Sequence, residues 1–182
     1  KYDKIHLVPF GEYIPFRKYF KSLAQKISKK DFSSGVNEAN IKIEGIGNIL
    51  PLICYEILFS SEVRSRVSNN TKLIINITND AWFGNTAGPY QHLALTKVRA
   101  VELGLPLARV ANTGISVLIS PYGEEIIKIP LNDEGVKTTK LMSRLDKTIY
   151  NKFGEYIFIF SILFILLINK FVLSKKILGR FN

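Results

Sequence analysis

The chain has 182 residues, enough for one domain with its own core plus an appendage. Its single cysteine, Cys54, excludes an intrachain disulfide. The 25 Lys and Arg against 15 Asp and Glu give a net charge of +10, which suits an anionic surface such as phospholipid. Much of that excess lies in residues 17–30 and 170–180 with no base-reading motif beside it, which argues against nucleic acid as a partner.

The chain opens "KYDKIHLVPFGEY", with no Met and no signal-peptide pattern, so it reads as a piece of a longer gene product. Residues 14–30 are expected to be helical, with Tyr19, Phe20, Leu23 and Ile27 as an apolar stripe among lysines. "DFSSGVNEAN" follows as a loop by its Ser, Gly and Asn content. "IKIEGIGNILPLICYE" reads as a strand pair about a Gly-rich turn, its apolar run "LPLIC" ending at Cys54. After a short helix in "SEVRSRVSNN", "KLIINIT" is expected to be a buried strand and "NDAWFGNTAGP" a long loop.

"PYQHLALTKVRAVELG" has Pro89 in its first turn and Gly104 at its stop, which predicts a helix. Its stripe of Leu93, Leu95, Val98 and Val101 is expected to face the core, with His92 structural. "PLARVANT" and "ISVLISPYGEEIIKIP" read as strands turning at Asn112–Gly114 and Pro121–Gly123, and "GVKTTKLMSRL" as one more. This order gives an α/β domain with a mixed, mostly buried sheet.

From Tyr156 to Leu173 the sequence "YIFIFSILFILLINKFVL" predicts a transmembrane helix, with Tyr156 and Lys170 suited to the two interfaces. Lys175, Lys176 and Arg180 beyond it place the tail in the cytoplasm and everything before Tyr156 outside. The expected organisation is therefore a catalytic part over 1–150, a linker over 151–155, a transmembrane helix over 156–173 and a basic tail over 174–182.

A thiol at the end of a buried strand, followed by Tyr55, Glu56 and a helix start, suits a nucleophile, but it needs a base or a cation to react at neutral pH. The two histidines, His6 and His92, lack an evident acid to orient them, which leaves Lys4 and Glu12 as the more informative partners. Neither histidine has ligand-like spacing, so no metal is implied.

The blocks "YDKIHLVPFGEYIPFR", "ICYEILF", "NITNDAWFGNTAGPYQHLALTKVRAVELGLPLARVANTGISVLISPYGE" and "NKFGEYIF" together resemble the nitrilase superfamily. Within it they resemble the apolipoprotein N-acyltransferases of bacterial inner membranes. The resemblance implies an αββα sandwich, of which this is the C-terminal part, followed by one transmembrane helix. It also implies a Glu, Lys, Cys triad with Cys54 as nucleophile, Lys4 as the motif Lys and Glu12 as a further essential carboxylate. Tyr55 and Glu56 match the two supporting positions after the nucleophile.

The family's general-base Glu lies upstream of the Lys block, and no residue of this chain matches it. The implied reaction moves an acyl chain from a phospholipid, through a Cys54 thioester, to the diacylglyceryl-cysteine of an apolipoprotein. It would take place on the periplasmic side of the inner membrane, without cofactor, and with an upstream polypeptide completing the domain. Two other readings stay open: a carbon–nitrogen hydrolase of a small amide, and an inactive membrane-tethered remnant.

Overall fold

The structure is a computed structural model that describes residues 1–19, 30–36 and 40–178, with side chains described through residue 170. Six strands lie in sequence order in one sheet: β1 (Ile41–Ile43), β2 (Gly47–Ile53), β3 (Thr71–Asn79), β4 (Leu107–Asn112), β5 (Ser116–Ile119) and β6 (Glu125–Ile129). β2, β3 and β4 run parallel, and the β1–β2, β4–β5 and β5–β6 pairs are antiparallel. Two crossovers join the parallel strands. The first is a 3-10 turn (Cys54–Leu58) with helix α1 (Ser60–Arg66), and the second contains helix α2 (Gly88–Leu103).

Right-handed crossovers that advance along the sheet in one direction must place their helices on the same face. That face is the core. Leu50 and Leu52 of β2, Ile74 of β3, Leu107 of β4 and Ile119 of β5 pack with Val63 of α1 and with Leu93, Ala100 and Leu103 of α2. Each such fully buried aliphatic side chain contributes about 1.5–3 kcal/mol relative to exposure. The opposite face is half open: Ile77 of β3 and Val110 of β4, register partners, are 58% and 56% exposed. The expectation of a mostly buried sheet is thus corrected to one buried face, and the described residues form one α layer and one β layer of the implied sandwich.

α2 begins with Pro89 in its first turn and ends at Gly104, whose φ of 63° is left-handed. A Cβ there would also come within 2.9 Å of Thr148. Its buried face differs from the expected stripe. Of Leu93, Leu95, Val98 and Val101 only Leu93 is buried, and the inward face is His92, Leu93, Thr96, Arg99, Ala100 and Leu103. Polar side chains occupy inward positions because they meet polar partners there, so an apolar count selects the wrong side.

The expected strand in "GVKTTKLMSRL" is absent: residues 135–145 form no regular structure and act as a strap. Lys137 Nζ donates to Lys128 O at 2.6 Å, Arg144 Nη1 donates to the carbonyls of Ser68, Asn69 and Thr71, and Leu145 N donates to Gly104 O at 2.9 Å. These bonds to carbonyls at the foot of β3 and the end of α2 take the place of a strand ladder. The helix expected over 14–30 lies mostly outside the described residues, and 15–19 form turns.

A short helix α3 (Ile149–Phe153) ends at Gly154, and helix α4 (Tyr156–Leu178) follows. The foot of α4 is tied to α1: Ser60 Oγ donates to Glu155 Oε1 at 3.1 Å, and Arg64 Nη1 donates to Asn151 O at 3.3 Å. Among the described residues no helix is long and apolar enough to cross a membrane. The side chains of residues 171–173 of the expected span, and of the tail 174–182, lie outside the described residues.

Candidate active site

β2 delivers Cys54 at its C-terminal end, where the chain turns abruptly into the 3-10 turn. Cys54 has φ 53°, a left-handed conformation that costs a residue with a Cβ about 1–2 kcal/mol and persists only where the surroundings enforce it. The turn lifts the thiol out of the sheet into a cavity of about 240 Å³. Glu12, Cys54, Tyr55, Asn79, Trp82 and Phe83 line it, together with Val8 and Gly11. Trp82 is 80% exposed at this site, and the Tyr55 and Phe83 rings stack 6.2 Å apart.

The turn over residues 8–13 brings Glu12 back toward Lys4. Glu12 N donates to Val8 O at 2.8 Å, and Val8 N donates to Glu12 Oε2 at 2.8 Å. Lys4 Nζ donates to both Glu12 oxygens at 2.7 Å, with the Lys4 side chain 10% exposed. Glu12 therefore lines the Cys54 cavity while both its oxygens hold the Lys4 ammonium, which is itself not among the lining residues. The loop after residue 30 holds this segment from outside: Gly35 N donates to Lys4 O and Phe32 N to Glu12 O.

Glu56 faces away from the cavity. Its carboxylate, 2% exposed, accepts from Ile5 N at 2.7 Å, His6 N at 3.2 Å, Ile53 N at 2.6 Å and the Tyr2 hydroxyl at 2.8 Å. It therefore fastens the Lys4 segment to the end of β2, and its oxygens are spent on that task. Burial, then the bond to Glu56, push the Tyr2 hydroxyl above its ordinary range, which keeps it protonated as a donor.

Six further polar residues lie buried beneath the elbow. Asn76 on β3 donates through Nδ2 to Cys54 O at 3.2 Å and to Leu52 O at 3.5 Å, and accepts from Arg109 Nη1 at 2.9 Å. Arg109 on β4 also pairs with Asp80 and donates to Thr96 Oγ1 at 3.2 Å. Asp80 accepts from Thr78 Oγ1 at 3.1 Å and meets His92 Nδ1 at 3.1 Å. Burial raises the Asp80 carboxyl, but the His92 bond and the Arg109 charge outweigh it and hold the group below its ordinary range. Sequence reasoning missed Asn76, Asp80 and Arg109. For Asn76 and Arg109 the available signal was a polar residue inside each of the apolar strands "KLIINIT" and "PLARVAN"; Asp80 lies in neither and carried no such signal. Among the described residues no group of three His, Cys, Asp or Glu side chains could hold a metal ion.

A strand-end thiol in a left-handed turn, sharing its cavity with a carboxylate that is paired to a lysine, suits covalent acyl chemistry. The family model for carbon–nitrogen hydrolases matches residues 1–150. The chain belongs to the carbon–nitrogen hydrolase family. It is 42% identical over 157 residues to the apolipoprotein N-acyltransferase of Bradyrhizobium diazoefficiens, covering 85% of this chain and 29% of that protein. The enzyme of the same name from Rickettsia bellii is 42% identical over 186 residues, covering 98% of this chain and 36% of that protein. The chain thus spans about a third of the length of the curated relatives it matches.

Among solved structures, a cysteine-to-alanine mutant of the Nesterenkonia AN1 amidase from the nitrilase superfamily aligns with a TM-score of 0.51 at 22% identity. That match covers 73% of this chain and 47% of the amidase. The Saccharomyces cerevisiae member of branch 10 of the superfamily aligns with a TM-score of 0.50 at 17% identity, over 72% of this chain and 44% of that one. Both show the family's fold.

Proposed function

We propose that this chain carries the nucleophile-bearing part of a phospholipid-to-apolipoprotein N-acyltransferase anchored in a bacterial inner membrane. The observation that carries the reading is helix α4. From Tyr156 to Lys170 every side chain is exposed, and the only polar interruptions are Ser161, Asn169 and Lys170. A helix apolar on all sides belongs in lipid rather than in water. The described side chains of α4 are too few to cross a bilayer by themselves, but the apolar run of the sequence continues to Leu173, and as a helix that run would rise about 27 Å, close to a hydrocarbon core of about 30 Å. With its foot bonded to α1, six residues past Cys54, the anchor holds the thiol near the bilayer that supplies the acyl donor. A hydrolase of small soluble amides has no use for it.

In the first step Cys54 Sγ attacks the ester carbonyl of a phospholipid. A C–S bond forms, the ester C–O bond breaks, and lysophospholipid leaves with the proton. In the second step the α-amine of a diacylglyceryl-cysteine attacks the thioester: C–N forms, C–S breaks, and the thiol regains a proton. Lys4 stabilises the thiolate and then the oxyanion, Glu12 orients Lys4 and keeps it charged, and Tyr55 and the Trp82 loop line the acyl path. Glu56 serves by fastening the Lys4 segment to the elbow.

The general-base Glu comes from an upstream polypeptide segment that packs on the open sheet face and supplies the second β layer. The catalytic side is periplasmic, with Lys175, Lys176 and Arg180 in the cytoplasm.

The test uses membranes containing the protein together with its upstream segment. They are supplied with acyl-labelled phospholipid and a synthetic diacylglyceryl-cysteine peptide. The expected products are N-acylated peptide and an equal amount of lysophospholipid. Release of free fatty acid with the peptide unmodified, or turnover of small amides instead, would replace this reading with a hydrolase.

A further inference from the structure

Arg109 and Asp80 form a buried ion pair, with His92 packed against it, that the reaction steps above do not use. The Arg109 and Asp80 side chains are fully buried, as is Asn76, and His92 and Thr96 close the cluster from α2. Such a cluster is an expensive way to stabilise a core, since an apolar set of equal volume is often as stable or more so. It is not even fully satisfied: Arg109 Nε and His92 Nε2 lack a hydrogen-bond partner. Its retention needs a positional reason, and the geometry supplies one.

Leu52, Asn76 and Arg109 are register neighbours across β2, β3 and β4, and Cys54 lies two residues beyond Leu52. A guanidinium can only donate, so Arg109 obliges Asn76 to turn its carbonyl oxygen toward β4. The amide nitrogen then faces the opposite way and donates to the carbonyls of Leu52 and Cys54, on either side of the bend. Were the amide reversed, its oxygen would face two carbonyl oxygens. Asp80 and Thr96 fix the guanidinium in turn, and His92 packs its ring 5.4 Å from that of Tyr55, the residue after the thiol. The elbow itself is strained, and a strained backbone persists only where its surroundings over-determine it.

We propose that Arg109, braced by Asp80, is a positioning residue that acts through Asn76 to hold Cys54 in its left-handed conformation. Arg109 touches no reacting atom. It sets the direction of the Asn76 amide, and the amide sets the thiol. The inference rests on the acyltransfer reading only for its rate measurement.

The test uses Asn76→Ala, Arg109→Lys and, as a control, Ile119→Val, which trims the same core at β5. Lysine keeps the charge opposite Asp80, so folding survives, but one ammonium cannot reproduce the planar fork that serves Asn76, Thr96 and Asp80. Cysteine-selective 13C labelling of this chain reports one residue, because Cys54 is its single cysteine. The wild-type Cα and Cβ resonances are expected at left-handed values. Asn76→Ala and Arg109→Lys should move them toward extended values and slow single-turnover acylation of Cys54 by phospholipid about 100-fold, the cost of roughly 1 Å of misplacement. Ile119→Val should lower the melting temperature modestly and leave both unchanged.

The inference is overturned if Asn76→Ala and Arg109→Lys keep wild-type resonances, or if Ile119→Val shifts them as far. If wild type forms no acyl adduct at all, the acyltransfer reading fails while the resonances still decide this one.

Discussion

Glu56 and Asp80 are both buried carboxylates, and their surroundings give them different work. Glu56 gathers three backbone N–H groups and the Tyr2 hydroxyl, so Glu56→Ala strands four donors at a part-buried site. A loss of about 3 kcal/mol or more is expected from thermal unfolding, with Glu56→Gln milder because it keeps one acceptor. Asp80 has a folded pKa below its unfolded one. Its contribution is therefore complete above the unfolded value, about 3.9, and is lost as pH falls through the folded value. Acid unfolding should show it: Asp80→Asn should flatten the decline in stability below pH 4, at the cost of lower stability at neutral pH. Neither role was legible in the sequence. Glu56 meets Tyr2, 54 residues away, and Asp80 meets Arg109, 29 away; no local pattern encodes pairs that only the sheet brings together.

The elbow shows how far an element can be read from the chain. The apolar run of β2 ending at a thiol was evident, and the sharp exit was implied by the helix start that follows. The left-handed φ was not, because Cys is an unusual residue for it. This strain predicts that Cys54→Gly is more stable than Cys54→Ala by about 1 kcal/mol in chemical denaturation, the reverse of the order expected at an ordinary strand end. In α2 the caps were legible, since Pro89 and Gly104 act locally. The buried face was not, because Thr96 and Arg99 turn inward to polar partners while Leu95, Val98 and Val101 stay partly exposed. The strap over 135–145 carried an alternating pattern without a strand to pair with, and alternation alone cannot supply a neighbour.

At the scale of the molecule two apolar surfaces face outward: the open side of the sheet around Ile77 and Val110, and the whole length of α4 that is described. The first is expected to take up a second β layer and the second to enter lipid. The two are separable by experiment. Ending the chain after Glu155 should release it from membranes into the soluble or aggregated fraction on flotation, whereas Ile77→Lys, on the open face, should leave membrane association intact and weaken capture of the upstream segment. The sequence could forecast α4 from its composition alone. It could not show that the sheet's second face is half open among the described residues, which follows from strand order and crossover hand.

The most direct measurement is intact-mass analysis of this chain, in membranes with the upstream segment proposed above, after incubation with phospholipid. The account predicts an acyl adduct on the Cys54 peptide that hydroxylamine removes and that Cys54→Ala never forms. An adduct that persists in Cys54→Ala, or none in wild type under conditions that label a full-length N-acyltransferase, would contradict it.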